Sequence, residues 1–327
     1  MKSALITGAN GQDAFYLTKY LLEKNYCVVL TTRKYNKLFV SNLINEIGDV
    51  AIENKNLYVR ESSITNKEEI SELFREFVFH EIYNLGGQSN VVESFDKKDL
   101  SENDPIRSFN NLIYSMKYSD SEIKLFQATS SEMFKDVGRE KINEHTKLNP
   151  LSPYAIGKAR VHEKLINLRD KENLFIVSGI MFNHESPRRS SKYLFGYIAD
   201  EILKISNDKS KKLKISNLNT VRDWGFSGDF VEAMWKTLNH NKPDDYIIST
   251  GKSYSVKEII EHSFKIFDLN YEEFVIEDYN KMRSYDILEK YSDPSKIKNI
   301  LSWTAGLDGI DVITYIINEK KKYEKLY

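Results

Sequence analysis

The 327-residue sequence predicts an α/β fold, a doubly wound parallel sheet with a smaller C-terminal lobe. Two patterns lead there. Short, β-rich apolar runs alternate with segments of helical period from the first residue onward. Those runs also lack the apolar–polar alternation of a sheet with one wet face, as strands covered on both faces do. SALITG (3–8) predicts the first strand, and DAFYLTKYLLEKN a helix with Phe15, Leu17, Leu21 and Leu22 on one face. YCVVLTTR (26–33), LYVRES (57–62), EIYNLG (81–86), KLFQATS (124–130) and FIVSGIMF (175–182) are the strands that follow, each fed by a segment able to be helical. This rhythm is that of βαβ crossovers. After residue 183 it changes: helical periodicity marks 194–206, 228–239 and 256–267, and an Asp-Pro-Ser start opens SDPSKIKNILSW. DKSKKLK (208–214) reads as a solvated turn. The division expected is a sheet domain over 1–183, completed by parts of 220–260, and a lobe formed mainly by 184–327.

The composition narrows the function classes. Hydrophobic residues make up 41%, charged residues 29%, and the net charge is −1, so no field draws the chain to nucleic acid or to an anionic membrane. No apolar run reaches the length of a membrane span. Cys27 is alone, which excludes an internal disulfide and a C-x-x-C pair, and its setting in YCVVLTT predicts a small buried residue. No metal site is expected. The reading is a cytoplasmic protein.

The chemistry-bearing residues stand at strand ends. ITGANGQDA links the first strand to the first helix, and Gly8, Gly11 and Ala14 fit G-x-x-G-x-x-G/A, with Asn10, Gln12 and Asp13 in the same turn. Glycines permit a tight turn, and a helix N-terminus offers amides to a pyrophosphate. The second strand ends in Arg33 and Lys34 where an NAD site carries an acid. Two cations suit the 2′-phosphate of NADP, with NAD as the alternative; two solvated loop residues are the bland reading. Leu85, Gly86 and Gly87 then bring Gln88, Ser89 and Asn90 to the next strand end. Ser130 and Glu132 close QATSSE, either as a polarising hydroxyl and a proton-transferring carboxylate or as a helix cap and a capping-box acid. Finally Tyr154 and Lys158 lie at i and i+4 in LSPYAIGKARVHEKL, on one helix face. An ammonium beside a phenol favours the phenolate, a base able to take a proton from an alcohol.

TGANGQD, TSSE and YAIGK resemble the motifs of extended short-chain dehydrogenases/reductases, which are Rossmann-type folds. GIMFNHESPRRS (179–190), VRDWGFSGDFVEAMW (221–235), YIISTGKSYSVKEIIE (246–261) and SDPSKIKNILSW (292–303) resemble the GDP-mannose 4,6-dehydratase family through nearly the whole chain. That resemblance implies an NADP-dependent lyase making a 4-keto-6-deoxy nucleotide sugar from a GDP-hexose or GDP-heptose. In it, Ser130, Glu132, Tyr154 and Lys158 are catalytic; Ser63, Ile64, Ser89, Lys158, His184 and Arg189 join the glycine turns around the cofactor; Gln88, Ser89, Asn183, Arg188, Arg222 and Arg283 meet the nucleotide sugar. It also implies a homodimer or homotetramer, through helices near 104–118 and 153–169. The sequence departs from the family's pattern at Ser130, where threonine is usual, at Ser63, where aspartate is usual, in segment 34–48, and at DPIRS (104–108) in place of a glycine-containing turn. Alternative readings are a GDP-sugar 4-oxidase, epimerase or reductase, for which no base at carbon 5 is needed, and a non-catalytic nucleotide sensor.

Overall fold

The computed structural model describes residues 1–35, 37–47, 56–134, 138–278 and 287–324. The chain forms two compact units, one of Met1–Phe134, Lys147–Met181 and Val231–Tyr246, the other of Lys135–Thr146, Phe182–Phe230 and Ile247–Tyr327.

The first unit is built on β1 (Ser3–Thr7), β2 (Cys27–Thr32), β3 (Leu57–Glu61), β4 (Glu81–Asn84), β5 (Lys124–Ser130) and β7 (Ile176–Met181). With β11 (Asp245–Ile248) they make a seven-stranded sheet in the order β11-β7-β5-β4-β1-β2-β3. The pairs from β3 to β7 are parallel. Chain order reverses between β1 and β4, the switch point at which doubly wound sheets open a crevice beyond the strands' carboxyl ends.

One face of this sheet is layered by register. Val29, Leu5, Ile82, Leu125 and Ile176 pair successively across β2, β1, β4, β5 and β7 and form an apolar row. They pack with Ile70 and Leu73 of α3 (Lys67–Glu76), Phe109, Leu112, Ile113 and Met116 of α5 (Lys98–Lys117), and Val161 and Leu165 of α6 (Pro153–Glu172). Two residues further along each strand, on the same face, stand Thr31, Thr7, Asn84, Gln127 and Ser178. All five are buried. The core thus turns from apolar to polar toward the carboxyl ends of the strands, at the last residue of β1 and of β4.

Several sequence expectations are refined here. The helix expected near 104 starts at Lys98 and runs through Pro105. DPIRS is therefore helical, with Ser108 Oγ donating to Asp104 O at 2.6 Å. Pro105 has no amide hydrogen, so the Ser101 carbonyl one turn earlier loses its intrahelical donor. There α5 meets α6: a Cβ on Gly157 would lie 2.4 Å from Ser101 O. Cys27 is half-buried, not fully enclosed, because it opens β2 at the sheet rim; burial pushes its thiol pKa up. α1 (Gln12–Glu23), α2 (Lys37–Ile47) and a short α4 (Glu93–Asp96) complete the N-terminal crossovers.

The second unit centres on a three-stranded sheet, β12 (Ser253–Ser255), β10 (Val221–Phe226) and β8 (Asn183–Glu185), with β10 parallel to β8 and antiparallel to β12. Its core packs Trp224 against Phe195, Ile198, Ile202 and Ile205 of α7 (Leu194–Asn207), Ile259, Ile260 and Phe264 of α9 (Val256–Lys265), and Val312, Ile313, Ile316 and Ile317 of α11 (Gly309–Glu324). Ser255 and Glu258 form a capping box at the start of α9. The run 208–214 is not all solvated turn: Leu213 is fully buried and opens β9 (Leu213–Ile215), which pairs with β13 (Val275–Glu277). Asp293 accepts from Ser295 N at 3.0 Å before α10 (Ser295–Leu301), the start that Asp-Pro-Ser signalled. Helix α8 (Ser227–Leu238) and the two-residue strands β6 (Lys141–Ile142) and β14 (Tyr291–Ser292), paired in parallel, complete the described elements. Among the described residues no helix is long and apolar enough to cross a membrane.

Candidate active site

In the first unit, the glycine turns converge at the β1/β4 switch point. Gly8 has φ +80°, and a Cβ there would sit 2.8 Å from Gly86 Cα, so both its conformation and the close approach of the β4 turn require glycine. Gly11 N donates to Gly8 O at 2.9 Å and Ala9 N to Thr31 O at 3.0 Å, closing the turn over the sheet. Gly11 is also the N-cap of α1, with no side chain capping the helix. Asn10 and Gly11 are exposed, Asp13 is half-buried and Gln12 is buried. On the β4 side, Leu85 N and Gly86 N both donate to Thr7 Oγ1, at 3.0 and 2.8 Å. Ile64 packs over Gly86, and its carbonyl accepts from Asn111 Nδ2 at 3.1 Å. Gly87 has φ +146° and open space where a Cβ would be. Gln88 donates through Nε2 to Asn90 O, and Ser89 is exposed.

These residues fit a dinucleotide. Three buried polar atoms near the same strand ends, Thr31 Oγ1, Ser62 Oγ and Gln88 Oε1, lack a hydrogen-bond partner among the described residues, whereas buried polar groups are ordinarily paired. Arg33 and Lys34 are exposed at the end of β2. Ser63 Oγ shares a hydrogen bond with Thr65 Oγ1 at 2.9 Å, and Ser63 N donates to Glu69.

Helix α6 carries Tyr154 and Lys158. Ser152 caps it by accepting from Ala155 N at 3.1 Å, and Pro153 occupies its first position. Lys158 is buried, and its Nζ donates to Ala128 O at 2.8 Å. It lies 5.9 Å from the centroid of the Tyr154 ring. Burial lowers the Lys158 pKa to about 8. Ala128 belongs to β5, which ends at Ser130. Ser130 Oγ accepts from Glu132 N at 3.2 Å, capping the 3₁₀ turn Ser131–Met133, against which α6 packs. The capping role foreseen for Ser130 is thus realised, and its hydroxyl proton remains available to donate. Glu132 is half-buried. Ser130, Glu132, Tyr154 and Lys158 are thereby brought to one strand end and the helix beside it.

In the second unit, Asn183 and His184 lie on β8, paired with Trp224 and Gly225. His184 Nδ1 is 2.8 Å from Phe182 O, and its ring lies 4.8 Å from that of Phe230. Arg188 is exposed. Arg189 Nε stands 3.1 Å from the Glu185 carboxylate, an ion pair without hydrogen-bond alignment, and its guanidinium stacks 3.5 Å from the Tyr193 ring centroid. Arg222 is buried on β10, donating to the carbonyls of Val221 (2.8 Å), Leu288 (3.2 Å) and Ile287 (2.6 Å). Arg283 lies outside the described residues.

Sequence reasoning missed Thr7, Asn84, Gln127 and Gly157. The signal was present: each of SALIT, EIYN and KLFQ ends an apolar run in one buried polar residue. Only the register reveals that the three are neighbours.

A reversing parallel sheet, a glycine turn at its switch point and a Tyr-x-x-x-Lys helix against the next strand end define a Rossmann-type protein of the short-chain dehydrogenase/reductase class. Solved structures share this fold over the whole chain. A dTDP-glucose 4,6-dehydratase from Bacillus anthracis, in complex with NAD, superposes with a TM-score of 0.82 at 19% identity, covering 100% of this chain and 99% of that one. RMD from Pseudomonas aeruginosa, complexed with NADPH, gives 0.80 at 15% identity, with 98% and 100% covered. The profile of GDP-mannose 4,6 dehydratase matches residues 5–314. GDP-mannose 4,6 dehydratase 2 of Arabidopsis thaliana is 34% identical over 330 residues, 99% of this chain and 88% of that protein. The chain belongs to the GDP-mannose 4,6-dehydratase family.

Proposed function

We propose that the protein is a GDP-sugar 4,6-dehydratase, converting a GDP-mannose-like hexose, or a GDP-heptose, to the 4-keto-6-deoxy sugar with net loss of one water. Family membership supports the reaction. The observation that carries the assignment of roles is the buried Lys158, anchored on Ala128 O with Tyr154 one helical turn away and Ser130–Glu132 closing the same strand.

A nicotinamide dinucleotide on the glycine turns supplies the acceptor, and later the donor, of the hydride exchanged with the sugar. NADP is the form we propose, supported by Arg33 and Lys34 at the end of β2. The chain's own residues move the protons. Tyr154 Oη takes the proton of the carbon-4 hydroxyl while Lys158 stabilises the phenolate. Ser130 Oγ–H donates a hydrogen bond to the same sugar oxygen and orients it. Once carbon 4 is a ketone the proton on carbon 5 is acidic, and the Glu132 carboxylate removes it. The same group returns a proton to the departing carbon-6 hydroxyl, so that water leaves. Arg222 and Arg283 are proposed for the pyrophosphate of the nucleotide sugar, a group guanidinium binds in bidentate fashion, and Arg188 for the substrate more generally. Asn183, His184 and Arg189 are proposed around the nicotinamide and cofactor phosphates.

The test is incubation with GDP-mannose and with GDP-manno-heptose in the presence of NADP, followed by mass spectrometry for a product lighter by one water. Glu132→Gln is expected to abolish water loss while sparing the first oxidation, and Tyr154→Phe to abolish both, each by at least ~10²-fold. Dehydration at the parental rate in Glu132→Gln would remove that carboxylate from the mechanism. We assign the enzyme to the cytoplasm, as a homodimer or homotetramer paired through α5 and α6. Exposed Leu100 and Tyr114 on α5, and Tyr118 at its C-cap, support that face.

A further inference from the structure

A buried chain of hydrogen bonds crosses three neighbouring strand ends, and the steps above make no use of it. Leu85 N and Gly86 N donate to Thr7 Oγ1. Thr7 Oγ1 donates to Asn84 Oδ1 at 2.8 Å, Asn84 Nδ2 to Gln127 Oε1 at 2.7 Å, and Gln127 Nε2 to Ala128 O at 3.0 Å. Ala128 O is also the acceptor of Lys158 Nζ, at 2.8 Å. Thr7, Asn84 and Gln127 are exposed by only 0, 2 and 4%, so the two links between their side chains are desolvated.

Strand geometry explains why this carbonyl is available. Lys124 N donates to His80 O and Leu125 N to Phe175 O, so even-numbered residues of β5 face β4 and odd-numbered ones β7. Ala128 therefore faces β4. The last β4–β5 register pair is Asn84 with Gln127, so the Ala128 carbonyl points past the end of β4 with no ladder donor. The Gln127 amide and the Lys158 ammonium take that place. The order of the chain is enforced from the other end. Two backbone N–H groups on Thr7 Oγ1 direct its proton to Asn84, which fixes which end of each amide faces the next.

We propose that Asn84 and Gln127 are positioning residues: with Thr7 they hold the Ala128 carbonyl, and through it the Lys158 ammonium, in fixed relation to the Gly86 turn. The coupling runs from the backbone expected to bear the dinucleotide to the lysine beside Tyr154, so a displacement at one end reorients the other. This inference rests on the catalytic role proposed above for Lys158. Tyr154, one turn earlier on the same helix, has its ring centroid 5.9 Å from the ammonium, and burial is what depresses the Lys158 pKa.

The test uses full-length Gln127→Glu, Gln127→Met and Asn84→Asp. The titration of Lys158 is followed by NMR of nitrogen-labelled lysine, without substrate or cofactor, and its resonance is identified by its loss in Lys158→Met. Gln127→Glu keeps an acceptor for Asn84 but places a carboxylate against the carbonyl, and is expected to raise the Lys158 midpoint by about one pH unit or more, with the kcat profile moving alike. Gln127→Met is expected to lower kcat about tenfold with the KM for the GDP-sugar nearly unchanged, as loss of orientation without loss of contact does. Asn84→Asp, which removes the donor to Gln127 Oε1, is expected to shift the same midpoint. An unmoved midpoint and kcat profile in Gln127→Glu and Asn84→Asp would overturn the proposal, and so would parental kcat in Gln127→Met. Should Gln127→Met not fold, the two near-isosteric variants decide. Full activity in Lys158→Met would instead sink the catalytic reading, and the substrate-free titration keeps the two failures apart.

Discussion

Lys158 is the residue on which fold and chemistry make opposite demands. A buried ammonium with a single carbonyl acceptor among the described residues is costly, and the cost appears as a pKa near 8 instead of 10.5. Because the folded value lies below the unfolded one, the unfolded chain binds the extra proton between those two limits, and stability rises with pH across that window. Lys158→Met removes this dependence. The expected outcome is a difference in melting temperature between parent and variant that shifts in the parent's favour from pH 8 to pH 10.5, equivalent to as much as about 3 kcal/mol. A difference that stays constant over that range would show that the lysine is not desolvated. Ser130 is milder: serine in place of the family's usual threonine keeps the capping oxygen and loses the methyl group that stiffens the side chain.

Helix α6 brings Tyr154 and Lys158 to the end of β5. Two contacts pin it. Near its start, Gly157 lies against the Ser101 carbonyl that Pro105 leaves without a donor, and no side chain fits between. Gly157→Ala is expected to push α5 and α6 apart, costing about 1–3 kcal/mol in chemical denaturation and displacing Lys158, so that kcat falls together with stability. Wild-type stability in that variant would mean the helices have room to spare. One turn after Lys158, His162 Nδ1 meets Ser178 Oγ at 2.9 Å, and Ser178 Oγ meets Thr129 Oγ1 at 3.0 Å, joining the helix to β7 and β5. The positions of Tyr154 and Lys158 at i and i+4 were legible in the sequence because helical period alone puts them on one face. The glycine–carbonyl contact was not, since nothing in YAIGK names the residue that will oppose Gly157.

At the scale of the whole molecule, the net charge of −1 leaves few long-range forces, and the response to pH is carried by individual buried groups. His162 is one. Burial lowers its pKa, and Arg169 adds to this, while Asp245, with Oδ2 3.9 Å from Nε2, opposes it. A histidine depressed on folding contributes stability that is present above its ordinary value near 6.5 and is lost as the pH falls through the folded value. His162→Gln is therefore expected to lose less thermal stability than the parent between pH 7 and pH 5. Parallel losses by calorimetry would assign acid sensitivity elsewhere. Interleaving of the chain also belongs to this scale. The first unit recovers Val231–Tyr246 after the second has begun, and the second takes Lys135–Thr146 from within the first. By itself the sequence determined the parallel sheet, its helices, the glycine turn, the Tyr-x-x-x-Lys face and the family, because periodicity, turn chemistry and motif spacing are local properties of the chain. Only the tertiary structure decided that Thr7, Asn84 and Gln127 lie side by side, that Ala128 offers its carbonyl to Lys158, and that Arg222 donates to backbone carbonyls. Those facts depend on strand register and on where neighbouring strands stop, which are set by packing between segments far apart in the chain.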